Sequence, residues 1–301
     1  MSDIKVIANP LAGRGRGRHT IPIVSRLLER EGVHFSLEET CYAGHAIELA
    51  RQAIKEKYRT IVALGGDGTV HEIINGIFSD DGKGTVLPGD IRLGIIPAGS
   101  GNDFAYAVGV PPDIRRACKR LLSGTTRLVD MGLINGRLFA YGVGIGFDAE
   151  VNIESRKIKW LRGMAVYLIA LLKVMLSRRK TYQLEIAVDG VQLKEKAMMV
   201  SIANGRRYAG VFLVTPYAKV DDGLLDLCII SPISRFDMLR FLPLVVKGRH
   251  TELSAVKMYS AREIVVRSES PLISHVDGEI FGSGGHEYHL SLVPNRLRVI
   301  C

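Results

Sequence analysis

The 301-residue chain is poor in cysteine, and the four it has (Cys41, Cys118, Cys228 and Cys301) stand far apart. No C-x-x-C pair and no zinc-ligand spacing occurs, which excludes a disulfide framework and a zinc module and leaves free thiols of a reducing cytosol. Long apolar runs are missing too. The stretch 163–172 carries no charge but meets Lys173 after ten residues, where a bilayer-spanning helix needs about 20. The N-terminus, Met1-Ser2-Asp3-Ile4, lacks the basic start and apolar run of a secretory signal, so the expected location is cytoplasmic. Low-complexity segments and internal repeats are absent. No G-x-x-x-x-G-K-[ST] occurs, which excludes a P-loop enzyme. His71-Glu72 opens like a zinc-protease motif, but Asn75 stands where its second histidine belongs, and Gly99-Ser100-Gly101 is not a nucleophile elbow. The remaining histidines are scattered, and His71 and His275 read as ordinary polar or loop residues.

What is present begins with charge. Forty Lys and Arg against 31 Asp and Glu give a net +9, which suits nucleic acid, an anionic membrane or a phosphorylated substrate without choosing between them. The first third alternates strand and helix. Apolar strands are expected at 4–8, 35–39, 60–64 and 92–96, and helices at 21–31, 44–57 and 70–78, with a flexible Gly- and Arg-rich loop at 9–17. That rhythm predicts a doubly wound α/β sheet. After about residue 128 strands follow one another (139–143, 183–188, 197–204, 225–230, 263–268, 288–293). They predict a mostly antiparallel, β-rich second domain, broken by helices at 158–177 and 235–247. The expected domains are 1–130, to which about 296–301 return, and 131–295.

Two glycine-rich loops end neighbouring strands: Gly65-Gly66-Asp67-Gly68-Thr69, and Pro97 to Ala105 with Gly99-Ser100-Gly101-Asn102-Asp103. Glycines let backbone approach a phosphate, amides at a helix start favour anions, and a carboxylate there can face a metal-bound phosphate. Paired loops at the carboxyl ends of strands are where open α/β sheets bind ligands. Taken alone, Asp277-Gly278-Glu279 reads as a surface turn, and Asp221-Asp222-Gly223 as a turn between strands.

Together with Asn9-Pro10, Gly13, Glu72, Gly144-Ile145-Gly146-Phe147-Asp148 and Asp222-Gly223-Leu224-Leu225-Asp226, these motifs resemble the diacylglycerol kinase catalytic domain family and its soluble bacterial lipid kinases. The resemblance implies an ATP-dependent lipid kinase with its site in a cleft between the domains. It implies that Asn9, Gly13, Thr40, Gly65, Gly66, Gly68, Thr69, Glu72, Gly99, Ser100 and Gly101 surround ATP. Asp67, Asp103 and Asp130 would form an acidic set near a catalytic Mg2+, with Asp67 also catalytic. Glu279 would be the base that takes the lipid hydroxyl's proton. Asp222, with the carbonyls of Lys219 and Leu224, resembles a structural Mg2+ site. The Arg-rich start (Arg14, Arg16, Arg18) departs from the pattern. Phosphoryl transfer asks for in-line positioning, neutralised phosphate charge and a carboxylate beside the nucleophile, and these residue types supply it.

The acceptor expected is diacylglycerol. Open alternatives are another lipid (sphingosine-, ceramide- or phosphatidylglycerol-like), an NAD kinase-like enzyme, and a non-catalytic membrane-binding module. Arg156, Lys157, Lys159 and Arg162 lead into the apolar 158–177 segment, and Lys173, Arg178, Arg179 and Lys180 close it. This suits peripheral contact with the anionic inner face of a membrane, and equally a helix packed on the β-domain. Nucleic acid is not an expected partner. Strand edges in the β-rich part leave a homodimer open.

Overall fold

The computed structural model describes residues 4–78, 91–158, 160–161, 164–177 and 180–301. Lys159, Arg162, Arg178 and Arg179 of the basic flanks lie outside them. The chain divides into two compact units, residues 1–129 with 295–301, and residues 130–294.

The first unit begins with β1 (Ile4–Ala8), α1 (Ala12–Arg30), β2 (Phe35–Glu39), α2 (His45–Lys55), β3 (Thr60–Gly65) and α3 (Asp67–Ile77). There follow β4 (Arg92–Pro97), α4 (Asp103–Ala107) and α5 (Ile114–Ser123). The parallel strands order as β4-β3-β1-β2, and β4 also takes the chain's last strand alongside it. Every residue of β3 is buried, as a strand covered on both faces requires.

Two helices start earlier than their apolar residues suggest. In α1 the buried stripe is Gly17, Thr20, Val24 and Leu28, which runs upstream of Pro22 on small residues. The Thr20 hydroxyl donates to the Arg16 carbonyl at 2.9 Å. Residues 13–15 are left-handed at its head (φ 57°, 59° and 93°), so regular helix begins after them. In α3 the first residue is Asp67 itself, inside the glycine motif.

The second unit takes β5 (Thr126–Ile134) across the boundary, then β6 (Arg137–Phe139), β7 (Gly142–Gly146), α6 (Phe147–Lys157) and α7 (Met164–Leu176). It continues with β8 (Tyr182–Val188), β9 (Val191–Ala197), β10 (Met199–Ala203), β11 (Leu225–Ile230), α8 (Arg235–Val246), β12 (Val256–Ala261), β13 (Glu263–Val276) and β14 (Glu279–Ile300). Strands β12-β11-β10-β7-β13 pair antiparallel, with β8 and β9 branching from β13. Alternation fills the core: Tyr182, Leu184, Ile186 and Val188 point inward from β8. The helix expected at 158–177 is α7, which starts later, at Met164, and it is preceded by α6, a helix not expected from the sequence. Ile158 ends α6 in an extended conformation (ψ 97°) and buries its side chain against Val166 and Ala170 of α7.

Candidate active site

The glycine motifs build one locus in the first unit. Chain leaves β3 through Gly65 and Gly66 and enters α3 with no capping side chain. It leaves β4 through Ala98 and Gly99, whose amides donate to the Gly65 carbonyl at 2.7 and 3.2 Å. The loops touch backbone to backbone. A Cβ on Gly99 would lie 2.4 Å from the Gly66 Cα, and one on Gly66 would lie 2.9 Å from the Gly99 Cα. Asn102 braces the second loop, accepting from the Gly99 amide at 2.9 Å and donating to its carbonyl at 3.0 Å. The Arg-rich start joins them. Gly13, at φ +57°, approaches so closely that a Cβ would stand 2.3 Å from the Ala98 carbonyl oxygen, and the Arg16 guanidinium donates to the Pro97 carbonyl at 3.4 Å. The predicted loop at 9–17 is thus a wedge against the second glycine turn.

Asn9 follows β1 and donates to the Thr69 hydroxyl at 3.1 Å. Thr69 is buried under Gly65, where any side chain would meet its hydroxyl at 2.3 Å. The Thr40 amide donates to the Ala8 carbonyl at 2.8 Å, which sets Thr40 beside the same strand end. Ser100 is exposed at the tip of the second loop, and Gly68 and Gly101 are partly buried. Glu72 does something unforeseen. Its carboxylate accepts from the amides of Gly44 (2.9 Å) and Ala46 (3.2 Å) and so caps α2 from the neighbouring helix.

Two carboxylates converge here. Asp67 accepts from the Phe104 amide at 3.0 Å through Oδ1. A Cβ built on Gly101 would lie 3.1 Å from Oδ2 of Asp67 and 3.1 Å from Oδ2 of the buried Asp103. Both oxygens therefore border one small space that the glycine leaves open.

The other acidic candidates belong to the second unit. Asp130 is buried. Its carboxylate accepts from the Gly223 amide at 2.8 Å, and its own amide donates to the Val220 carbonyl at 2.7 Å. Asp222 is exposed and accepts from the Leu224 amide at 3.2 Å, an Asx turn. Lys219 and Leu224 flank this turn. Burial, with Asp222's charge as a smaller contribution, pushes the Asp226 carboxyl up to about 6. Among the described residues no three His, Cys, Asp or Glu side chains gather as a metal-binding group.

Glu279 opens β14 after a two-residue turn, Asp277 and Gly278, with φ +49° and +81°. Positive φ at both positions is the hairpin geometry that Asp-Gly favours. Asp277 is further held by the amides of Ala140, Tyr141 and Gly142, each donating at 2.9 Å. Glu279 is half-exposed and pairs with Arg156 at 2.8 Å. His275, read from sequence as ordinary, is buried and bonds Asp148 at 2.9 Å. Tyr208 stands edge-on to its ring; burial, and after it the Asp148 charge, raises that hydroxyl well above its ordinary value.

The profile described as "Diacylglycerol kinase catalytic domain" matches residues 3–134, and "YegS C-terminal NAD kinase beta sandwich-like domain" matches residues 142–301. The chain is 31% identical over 279 residues to a diacylglycerol kinase of Staphylococcus aureus (strain MRSA252), covering 92% of this chain and 86% of that one. The chain belongs to the diacylglycerol kinase family. It is thereby a lipid kinase, a phosphotransferase with an alcohol acceptor. It is also 28% identical over 284 residues to a diacylglycerol kinase of Bacillus subtilis (strain 168), covering 94% and 91% of the two chains. In fold it is similar to a diacylglycerol kinase from Bacillus anthracis str. Sterne (TM-score 0.75, 22% identity, 99% and 96% covered). It shares fold as well with yeast NADH kinase (TM-score 0.53, 12% identity, 99% and 82% covered).

Proposed function

We propose that this lipid kinase transfers the γ-phosphate of ATP to the hydroxyl of diacylglycerol, giving phosphatidic acid and ADP. The observation that carries the reading is the locus where Gly66 and Gly99 meet backbone to backbone with the Asp67 and Asp103 carboxylates beside them. Bare backbone at a helix start suits phosphate oxygens. The nucleotide set is Asn9, Gly13, Thr40, Gly65, Gly66, Gly68, Thr69, Glu72, Gly99, Ser100 and Gly101. The lipid oxygen attacks the γ-phosphorus, the bond to the β,γ-bridging oxygen breaks, and Glu279 takes the hydroxyl proton. The acceptor's identity rests on the names of the relatives.

Hard carboxylate oxygens around the space at Gly101 fit a divalent cation, and Mg2+ suits them. Asp67 and Asp103 would hold it, with Asp130 in support. When bound, it neutralises phosphate charge. The turn with Asp222 and the carbonyls of Lys219 and Leu224 offers oxygens for a second, structural Mg2+.

We place the protein in the cytoplasm, peripherally on the inner membrane face. No helix among the described residues is long and apolar enough to cross a membrane. Exposed apolar side chains recur along α7 (Leu168, Leu172, Leu176) and α8 (Phe236, Leu239, Val246). Lys173, Arg235 and Arg240 beside them suit an anionic surface. The outermost strands β2 and β12 are where a homodimer would pair, which sedimentation tests.

One assay decides the acceptor. Purified protein is given labelled ATP and Mg2+ with mixed micelles of diacylglycerol, sphingosine, ceramide or phosphatidylglycerol, and separately with NAD. Labelled phosphatidic acid is expected. Label in NAD and in no lipid refutes the reading.

A further inference from the structure

Helix α6 turns one face to the hairpin that carries Glu279. Asp148, Asn152 and Arg156 recur every fourth residue, one above the other on the helix. Asn152 and Arg156 reach the turn directly, and Asp148 reaches it through His275. Asp148 Oδ2 lies 2.9 Å from Nε2 of His275. Asn152 Nδ2 donates to the Gly278 carbonyl at 2.8 Å. Arg156 Nη2 donates to that carbonyl at 2.8 Å and to Glu279 Oε2 at 2.8 Å. The Gly278 amide donates to His275 Nδ1 at 3.3 Å, so the ring's proton belongs on Nε2, facing Asp148. Gly278, which immediately precedes Glu279, is therefore held on both sides: at its N–H in the peptide to Asp277 and at its C=O in the peptide to Glu279. Space for the pair is left by Gly144, where a Cβ would stand 2.2 Å from Asp148 Oδ2 and 2.3 Å from His275 Nε2.

An Asp-Gly hairpin turn needs none of this, because its two positive φ values suffice. Nor does stability ask for it. An exposed ion pair such as Arg156–Glu279 contributes about 0–1 kcal/mol. What four converging side chains do supply is a fixed direction for one carboxylate. We propose that Arg156 and Asn152 are positioning residues for phosphoryl transfer, aiming Glu279 through the Gly278 peptide while the His275–Asp148 pair locks its other side. This rests on Glu279 being the base.

The test uses the exposed Arg156 and the half-buried Asn152, and the melting midpoint checks that each variant keeps the fold. Arg156→Met and Asn152→Ala are assayed beside Glu279→Gln, with labelled ATP and diacylglycerol micelles. Arg156→Met is expected to lower kcat about tenfold and Asn152→Ala about threefold, a misplaced base being costly while binding is untouched. KM for ATP and for lipid, and the melting midpoint, should match the parent. Arg156→Lys should restore part of kcat. In the Glu279→Gln background, Arg156→Met should add no further loss, because aiming matters only while the base exists. Parental kcat in Arg156→Met beside an inactive Glu279→Gln overturns the inference and leaves the base assignment standing. So does a raised lipid KM at unchanged kcat, which makes Arg156 a headgroup contact, or fully additive losses in the double variant. Parental turnover in Glu279→Gln removes the base assignment itself.

Discussion

Asp67 does two jobs with its two oxygens. Oδ1 holds the Phe104 amide and so fixes the start of α4, while Oδ2 borders the space at Gly101 that Asp103 shares. Asp67→Asn separates them, since the amide oxygen can still accept from Phe104 but the charge is gone. Turnover should fall at least about 100-fold, the usual order for losing a group that acts on transition-state charge. The melting midpoint should barely move. Turnover within tenfold of the parent would remove Asp67 from the machinery. At this scale the sequence was legible wherever a residue type has few uses. Glycines that meet at Gly66 and Gly99 could be read as bare backbone for a ligand. Asn102 and His275 could not, because their partners are a peptide three residues away and a carboxylate 127 residues distant. The one readable clue to the second was the four-residue recurrence of Asp148, Asn152 and Arg156.

Helix α2 begins at Gly44, left-handed at φ +89°, which has no side chain to cap the helix. The cap is lent by Glu72 of α3, whose carboxylate takes two amides at once. Charge-assisted bonds at a helix start are stabilising. Glu72→Ala should therefore cost about 1–2 kcal/mol in urea unfolding, the scale of a lost cap. Unaltered stability would remove the capping role, while a raised KM for ATP is the separate readout of the place proposed for Glu72 in the nucleotide set. Elements were legible where one periodicity dominated, as in the all-buried β3 and the alternating β8. Strand β9, whose seven residues are mostly exposed, and helix α6, which buries only Phe147, Ala149 and Ser155, gave no such pattern. Each draws its stability from neighbours in space. The later start of α7 was hidden because the helix is apolar on nearly every face, so its first residue cannot be found by periodicity.

For the whole molecule, several buried groups hold protons that an unfolded chain gives up. Burial is the first cause in each case. It pushes the Cys118 thiol up to about 11, Cys228 up to about 12 and the Tyr182 hydroxyl up to about 12. Above pH ~9, where unfolded thiols ionise, the folded state binds more protons than the unfolded one, so stability falls as pH rises further. The melting midpoint should be flat from pH 7 to 8.5 and decline from 9 toward 11; Cys228→Ala should start lower and decline less steeply. The chain's path adds a second expectation. Strand β14 runs on past Pro294 into the first unit, where Leu297, Val299 and Ile300 are buried and Arg298 and Val299 pair with β4. A strand shared in this way leaves little local signature, because its residues read as one continuous run whichever core receives them. Removing residues 295–301 strips three buried apolar side chains, at about 1.5–3 kcal/mol each. That is comparable to the whole stability of a domain, about 5–15 kcal/mol. It also bares the flank of β4, an open edge that invites pairing with other chains. A chain ending at Pro294 should lose ATP binding and aggregate on mild warming. Urea unfolding should still report a cooperative transition from the second unit, whose own core has its members between Ile134 and Leu290. A soluble truncated chain that binds ATP like the parent would show that the last seven residues contribute nothing to the first unit's core.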